Sequence, residues 1–140
     1  MSDKNILKAS AILFISLFLG IGACNNHKVK SIRIYYVAIS TSSFVPVDCD
    51  LFEFAFGVIM KEKIITDNGT IKRFIPVINS LEPMKDTSFI IDARIKCLIH
   101  TSKKTDTICV TSCNNIVFNG IAMKRNIVFL DLIDDQIDRK

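Results

Sequence analysis

Tryptophan is absent from this 140-residue chain, and proline (three), glycine (five) and histidine (two) are scarce. So little proline and glycine excludes a collagen-like or low-complexity chain. The two histidines, His27 and His100, lie far apart and cannot form a local metal pair. No GxSxG, HExxH, GxGxxG or Walker-type loop occurs, so no hydrolase, zinc-protease or nucleotide-binding motif is present. No cofactor is expected, and the chain reads as a non-enzyme. An excess of one charge sign is also missing. Eighteen basic against 14 acidic residues give a net +4, and no lysine or arginine patch with interleaved aromatics is visible, so nucleic acid is not an expected partner. A composition 49% hydrophobic and 23% charged is that of a globular protein rather than a disordered one.

What is present begins at the N terminus. MSDKNILK carries Lys4 and Lys8 against Asp3, and the next stretch, ASAILFISLFLGIGA, carries no charge. A short basic start, an apolar core of roughly 7–15 residues and small residues at its end form the pattern of a secretory signal peptide. The run is shorter than the roughly 20 residues of a spanning helix. It ends in Ile21-Gly22-Ala23-Cys24, which resembles the lipobox of bacterial lipoproteins. The resemblance covers residues 1–24. It implies cleavage between Ala23 and Cys24, acylation of the Cys24 thiol and new amino terminus, with palmitate among the acyl groups, and hence a membrane partner through the lipid. More than one acyl chain exceeds what marginal, reversible anchoring supplies. Asn25, where an aspartate would imply inner-membrane retention, points to the outer membrane, and the absence of an acidic run in NNHKVK to its periplasmic face. The expected organisation is a signal over 1–23, a tether over 24–30 and one domain over 31–140.

In that domain SIRIYYVAI alternates, with Ile32, Ile34, Tyr36 and Ala38 on one side and Arg33, Tyr35 and Val37 on the other, which is a strand pattern. LFEFAFGVIM places Phe52, Phe54 and Phe56 on one face of a second, core strand, and KEKIITD continues as a third. Asp67-Asn68-Gly69-Thr70 carries a hairpin signal, but pairing about it would mismatch the faces. Ile71, Phe74, Ile75, Ile78 and Leu81 fall instead on a helical stripe, interrupted by Pro76, and a short helix, kinked or starting late, is the preferred reading of 68–81. FIIDARIKCLIH is the clearest strand, with Ala93, Ile95, Cys97 and Ile99 on one face. TICVTSC and IVF follow as strands, the latter between the turn signals Asn114-Asn115 and Asn119-Gly120. NIVFLDLIDDQI reads as a helix capped by Asn126. The order β-β-β-α-β-β-β-α predicts an α+β fold, a mostly antiparallel sheet of about five to six strands with two helices on one face.

Four cysteines follow Cys24. If Cys97 opposes Val110 across a hairpin, Cys109 faces the other way and cannot bond it. Cys109 and Cys113, four residues apart on one strand, are roughly 13 Å apart, too far to bridge. If a bridge forms, it joins Cys49 to Cys109 or Cys113, with Cys97 a buried free thiol; the alternative is that all four are reduced and simply packed. Cys109-x3-Cys113 is not a zinc spacing, and no metal site is expected. Cys109 and His100 form the one nucleophile–base candidate, against the plainer reading of a solvated histidine at a turn. Asp48 and Asp50 read as turn solvation rather than a calcium loop; Asp131, Asp134, Asp135 and Asp138 read as the polar face of the last helix. Asp106-Thr107-Ile108 resembles the O-glycosylation motif of some Gram-negative envelope proteins, which makes Thr107 a modification candidate.

These features lead to a lipid-anchored envelope protein that acts by binding an envelope protein or cell-wall component, with the loop at 40–50 and exposed strand edges as contact surfaces. The alternative is an inhibitor or immunity lipoprotein that neutralises an envelope-targeting toxin or lysozyme-like enzyme.

Overall fold

The computed structural model describes residues 28–85 and 88–137. The expected signal peptide, Ala23, Cys24 with its expected lipidation, and His27 lie outside them, as does Asp138. Six strands form one antiparallel sheet: β1 (Val29–Tyr36), β2 (Lys61–Ile65), β3 (Ala93–Thr101), β4 (Thr105–Thr111), β5 (Ile116–Phe118) and β6 (Ile121–Met123), in the spatial order β2-β1-β3-β4-β5-β6. Three helices accompany them: α1 (Phe52–Phe56), entered through a 3-10 turn at Cys49–Leu51, α2 (Asn68–Asn79) and α3 (Ile127–Asp134). The fold is α+β. β1 starts at Val29, so the tether expected over 24–30 gives way to strand earlier than its spacing suggested.

The period-two patterns sort the sheet into two faces. Ile32, Ile34, Ile95, Cys97, Ile99, Ile108 and Val110 point to one side, where the stripes of α2 (Ile71, Phe74, Ile78) and α3 (Phe129, Leu130, Ile133) close the main core. These are the two helices on one face. The opposite face carries a second, smaller core of Val37, Val47, Phe52, Phe56, Ala93 and Cys109.

Several local expectations change. LFEFAFGVIM is not a strand. F-E-F-A-F satisfies both periods, since Phe52 and Phe56 are also four apart, and in α1 those two are buried while Phe54 points outward and is 91% exposed. Second, the β3–β4 register differs by two residues. Cys97 opposes Ile108, and Ile95 opposes Val110, because the reversal occupies only the short turn at Thr101–Lys104, closed by Thr101 N–H to Lys104 O at 2.9 Å. The face of each residue is unchanged by a shift of two. A sixth strand also follows IVF. Asn119 (φ 48°) and Gly120 (φ 80°) adopt left-handed backbone and make a two-residue hairpin turn, setting Phe118 opposite Ile121.

The helix over 68–79 starts at once after Asp67, not late. The Asp67 carboxylate accepts the Thr70 N–H at 2.7 Å, an N-cap contact, and Pro76 sits within the last turn of the helix. The Thr70 N–H holds the Asp67 carboxyl below its ordinary value. A depressed carboxyl stabilises the fold above the unfolded-state value of about 3.9 and ceases to do so as pH falls through the folded value. Asp67→Ala is expected to lower the thermal midpoint at pH 7 and to flatten the loss of stability below pH 4, measured by circular dichroism melts between pH 2 and 7. Asp67→Asn retains the acceptor and recovers part of the midpoint.

Candidate functional site

The second face is where the sequence is least conventional. β1 leaves the sheet at Tyr36 and runs through residues 37–48 before the turn into α1. Asp92, just before β3, and Arg94, within it, hold this loop. The Asp92 carboxylate accepts the Val47 N–H at 3.1 Å through Oδ1 and the Arg94 Nη2 at 2.8 Å through Oδ2. Arg94 Nη2 reaches Ser43 Oγ at 3.3 Å, and the guanidinium lies 5.4 Å from the centre of the Phe56 ring. Arg94 is 5% exposed, so this charge is buried and satisfied mainly by one carboxylate, its Nε having no partner. Arginine suits this place because its planar fork pairs with a carboxylate while its face stacks on a ring. One strand position on, Lys96 Nζ pairs with Glu53 of α1 at 2.8 Å.

The covalent brace is Cys49–Cys109, with Cα atoms 6.0 Å apart and 60 residues apart in sequence. Of the two bridges the sequence left open, the structure forms this one; Cys97 is free and buried, and Cys113 is free and exposed. α1 is one short turn and a half, too short to hold alone. The bridge at its entry, the edge-on Phe52–Phe56 pair at 5.1 Å and the Glu53–Lys96 pair fix it.

The braced segment buries one side and leaves the other apolar side in solvent. Ile39, Phe44, Val45, Leu51, Phe54, Val58 and Ile59 are exposed, as is Ile90 just before Asp92; they are eight of the twelve exposed large hydrophobics among the described residues. Leu51, Phe54 and Val58 recur at helical spacing. Isolated exposed hydrophobics are ordinary; here they concentrate on two segments that meet at Asp92–Arg94. The exposure of the loop at 40–50 was legible in the sequence. Phe54 and Val58 were not, because the strand reading put Phe54 in the core; the four-residue spacing of Phe52 and Phe56 was the available signal. The strand edges are poor contact surfaces. β2 presents Lys61, Glu62 and Lys63, and β6 has three residues with Pro83 bridged to Met123, both devices that block further pairing.

The Cys109–His100 candidate is overturned. Cys109 is disulfide-bonded and fully buried. It pairs with Lys96, whereas His100 pairs with Thr105 four positions along, where its Nδ1 lies 2.9 Å from Thr105 Oγ1. Asp48 accepts the Cys49 N–H at 2.6 Å, which occupies it as a turn cap. No group of three or more His, Cys, Asp or Glu among the described residues is placed to hold a metal. Thr107 lies within β4, opposite Leu98 and only partly exposed. No helix among the described residues is long and apolar enough to cross a membrane. No protein-family model matches the chain, and neither the curated proteins nor the solved structures yield a match.

Two outcomes follow. Loss of a bridge that spans 60 residues removes about 2–4 kcal/mol. Cys49→Ala/Cys109→Ala is therefore expected to lower the urea midpoint, while Cys113→Ser leaves it in place. Burial pushes the Cys97 thiol up to about 12, and only the thiolate reacts. In native protein at pH 8, iodoacetamide is expected to alkylate Cys113 within minutes and to spare Cys97 until denaturant is added, read by peptide mass.

Proposed function

We propose that this chain is a lipid-anchored cell-envelope protein that works by binding, and that the disulfide-braced segment 39–59 is its partner-facing surface. The observation that carries the binding reading is the exposed apolar side of that segment, held rigid by Cys49–Cys109 and Arg94. The lipobox-like Ile21-Gly22-Ala23-Cys24 supplies the anchor. The two features also suit each other spatially. The chain enters the sheet at Val29, and the apolar segment follows the far end of an eight-residue strand, roughly 25 Å away at 3.3 Å per residue. An anchored domain would thus present this pole away from the membrane. The partner is another envelope protein or a cell-wall component with an apolar contact surface. The inhibitor reading is the case in which the partner is a toxin or lysozyme-like enzyme. The pre-braced Phe44-Val45-Pro46 loop favours it, because a rigid loop loses little entropy on docking.

Two measurements test this. The intact mass of protein extracted from membranes should match residues 24–140 plus acyl chains; a mass matching all 140 residues overturns the anchor. A photo-crosslinking residue at Phe54 should give one discrete adduct in cells, abolished by Leu51→Asp/Val58→Asp, while the same group at Glu62 on the β2 edge gives none. Equal labelling at both positions overturns the binding surface. Protection against a lysozyme-like enzyme, lost in the same double variant, would select the inhibitor form.

A further inference from the structure

A concavity lies at the other end of the sheet, on the main-core face, between α2 and the ends of β1, β3, β4 and β5. Its volume is about 610 Å³, within the range of about 300–1,000 Å³ typical of small-molecule sites. The floor is apolar. Val29, Ile75, Ile99 and Phe118 line it, with Ile71 and Ile78 behind. Its origin is visible in the helix pattern. The buried side of α2 (Ile71, Phe74, Ile78) packs on the sheet, whereas Ile75 falls on the flank and stays half-buried. The rim is cationic. Lys28, Lys72 and Lys104 surround the opening, with Asp106 as the one acid among the lining residues. That acid is already engaged, by Lys104 Nζ at 3.0 Å and Asn119 Nδ2 at 2.9 Å. Lys28 and Lys72 make no ion pair among the described residues. Asn68, Asn79 and Thr101 add neutral hydrogen-bonding groups at the mouth.

An apolar trough with unpaired ammonium groups at its mouth is complementary to a molecule with one apolar tail and one anionic head. We propose that this groove binds a long-chain fatty carboxylate, with its alkyl chain along Ile75, Ile99 and Phe118 and its head between Lys28 and Lys72. The volume suits one chain rather than the two of a phospholipid. Desolvating a carboxylate requires a charged or hydrogen-bonding partner, and the rim supplies both kinds. The inference rests neither on the anchor at Cys24 nor on the apolar pole.

The test uses the full chain in isolated membranes and a palmitate analogue that carries a diazirine in its chain and an alkyne handle. Irradiation is expected to label peptides containing Ile75 and Ile99. Excess palmitate should compete and hexadecanol should not. Lys28→Glu/Lys72→Glu should reduce labelling about tenfold, equivalent to about 1.4 kcal/mol, with the circular dichroism spectrum unchanged because both lysines are exposed. Phe54→Ser should leave labelling intact, which separates this site from the partner-facing pole. The proposal is overturned if label maps to residues 44–59, if hexadecanol competes as well as palmitate, or if the charge reversals have no effect.

Discussion

The bond between Cys49 and Cys109 ties a five-residue helix to the centre of the sheet, and the second face depends on it. Without a link at its entry, α1 would have to be held by two phenylalanines and one ion pair against the entropy of a long excursion from β1 to β2. Loop closure between distant residues is the entropic cost that a covalent link removes from the unfolded chain. Once that closure is made, Phe52 and Phe56 reach Val37, Val47 and Ala93, and the small core forms.

Arg94 plays the corresponding electrostatic part. It stands on a strand whose other face buries Ile95, Cys97 and Ile99, and it is held by Asp92, Ser43 and the Phe56 ring. Asp92 also receives the Val47 N–H, so a single carboxylate neutralises the buried guanidinium and fixes the loop. A buried pair of this kind contributes little net stability against an apolar alternative, but losing one partner is costly. Its effect is therefore on geometry: it dictates where residues 43–47 lie, and hence which of their side chains meet solvent.

The long periodic elements were readable from the sequence. β3 shows its main-core face in Ile95, Cys97 and Ile99, but Ala93, expected on that face, joins the second core because the register shifts between Ala93 and Ile95; α3 shows both its stripe and its cap, since the Asn126 side chain accepts the Phe129 N–H at 3.0 Å. The stripe of α2 outweighed its hairpin-like Asn-Gly because Asp67 caps the first turn. α1 was not readable. Five residues with phenylalanine at every second position fit a strand and a helix equally, and tertiary links made elsewhere in the chain decide between them. β6 was missed because three residues carry no period of their own; pairing across Asn119-Gly120 creates the strand. The site was half legible for the same reason. A proline-bearing loop announces itself, whereas the outward direction of Phe54 and Val58 follows only from the helix.

The brace has a consequence for timing. A disulfide persists only where the surroundings are oxidising, and this one closes the excursion that carries seven exposed apolar side chains. In a reducing compartment the excursion is a long loop without a fixed helix, and its hydrophobic residues have no common plane. Oxidation gives them one. The common exposed apolar side of this segment and its covalent closure would then arise in the same event.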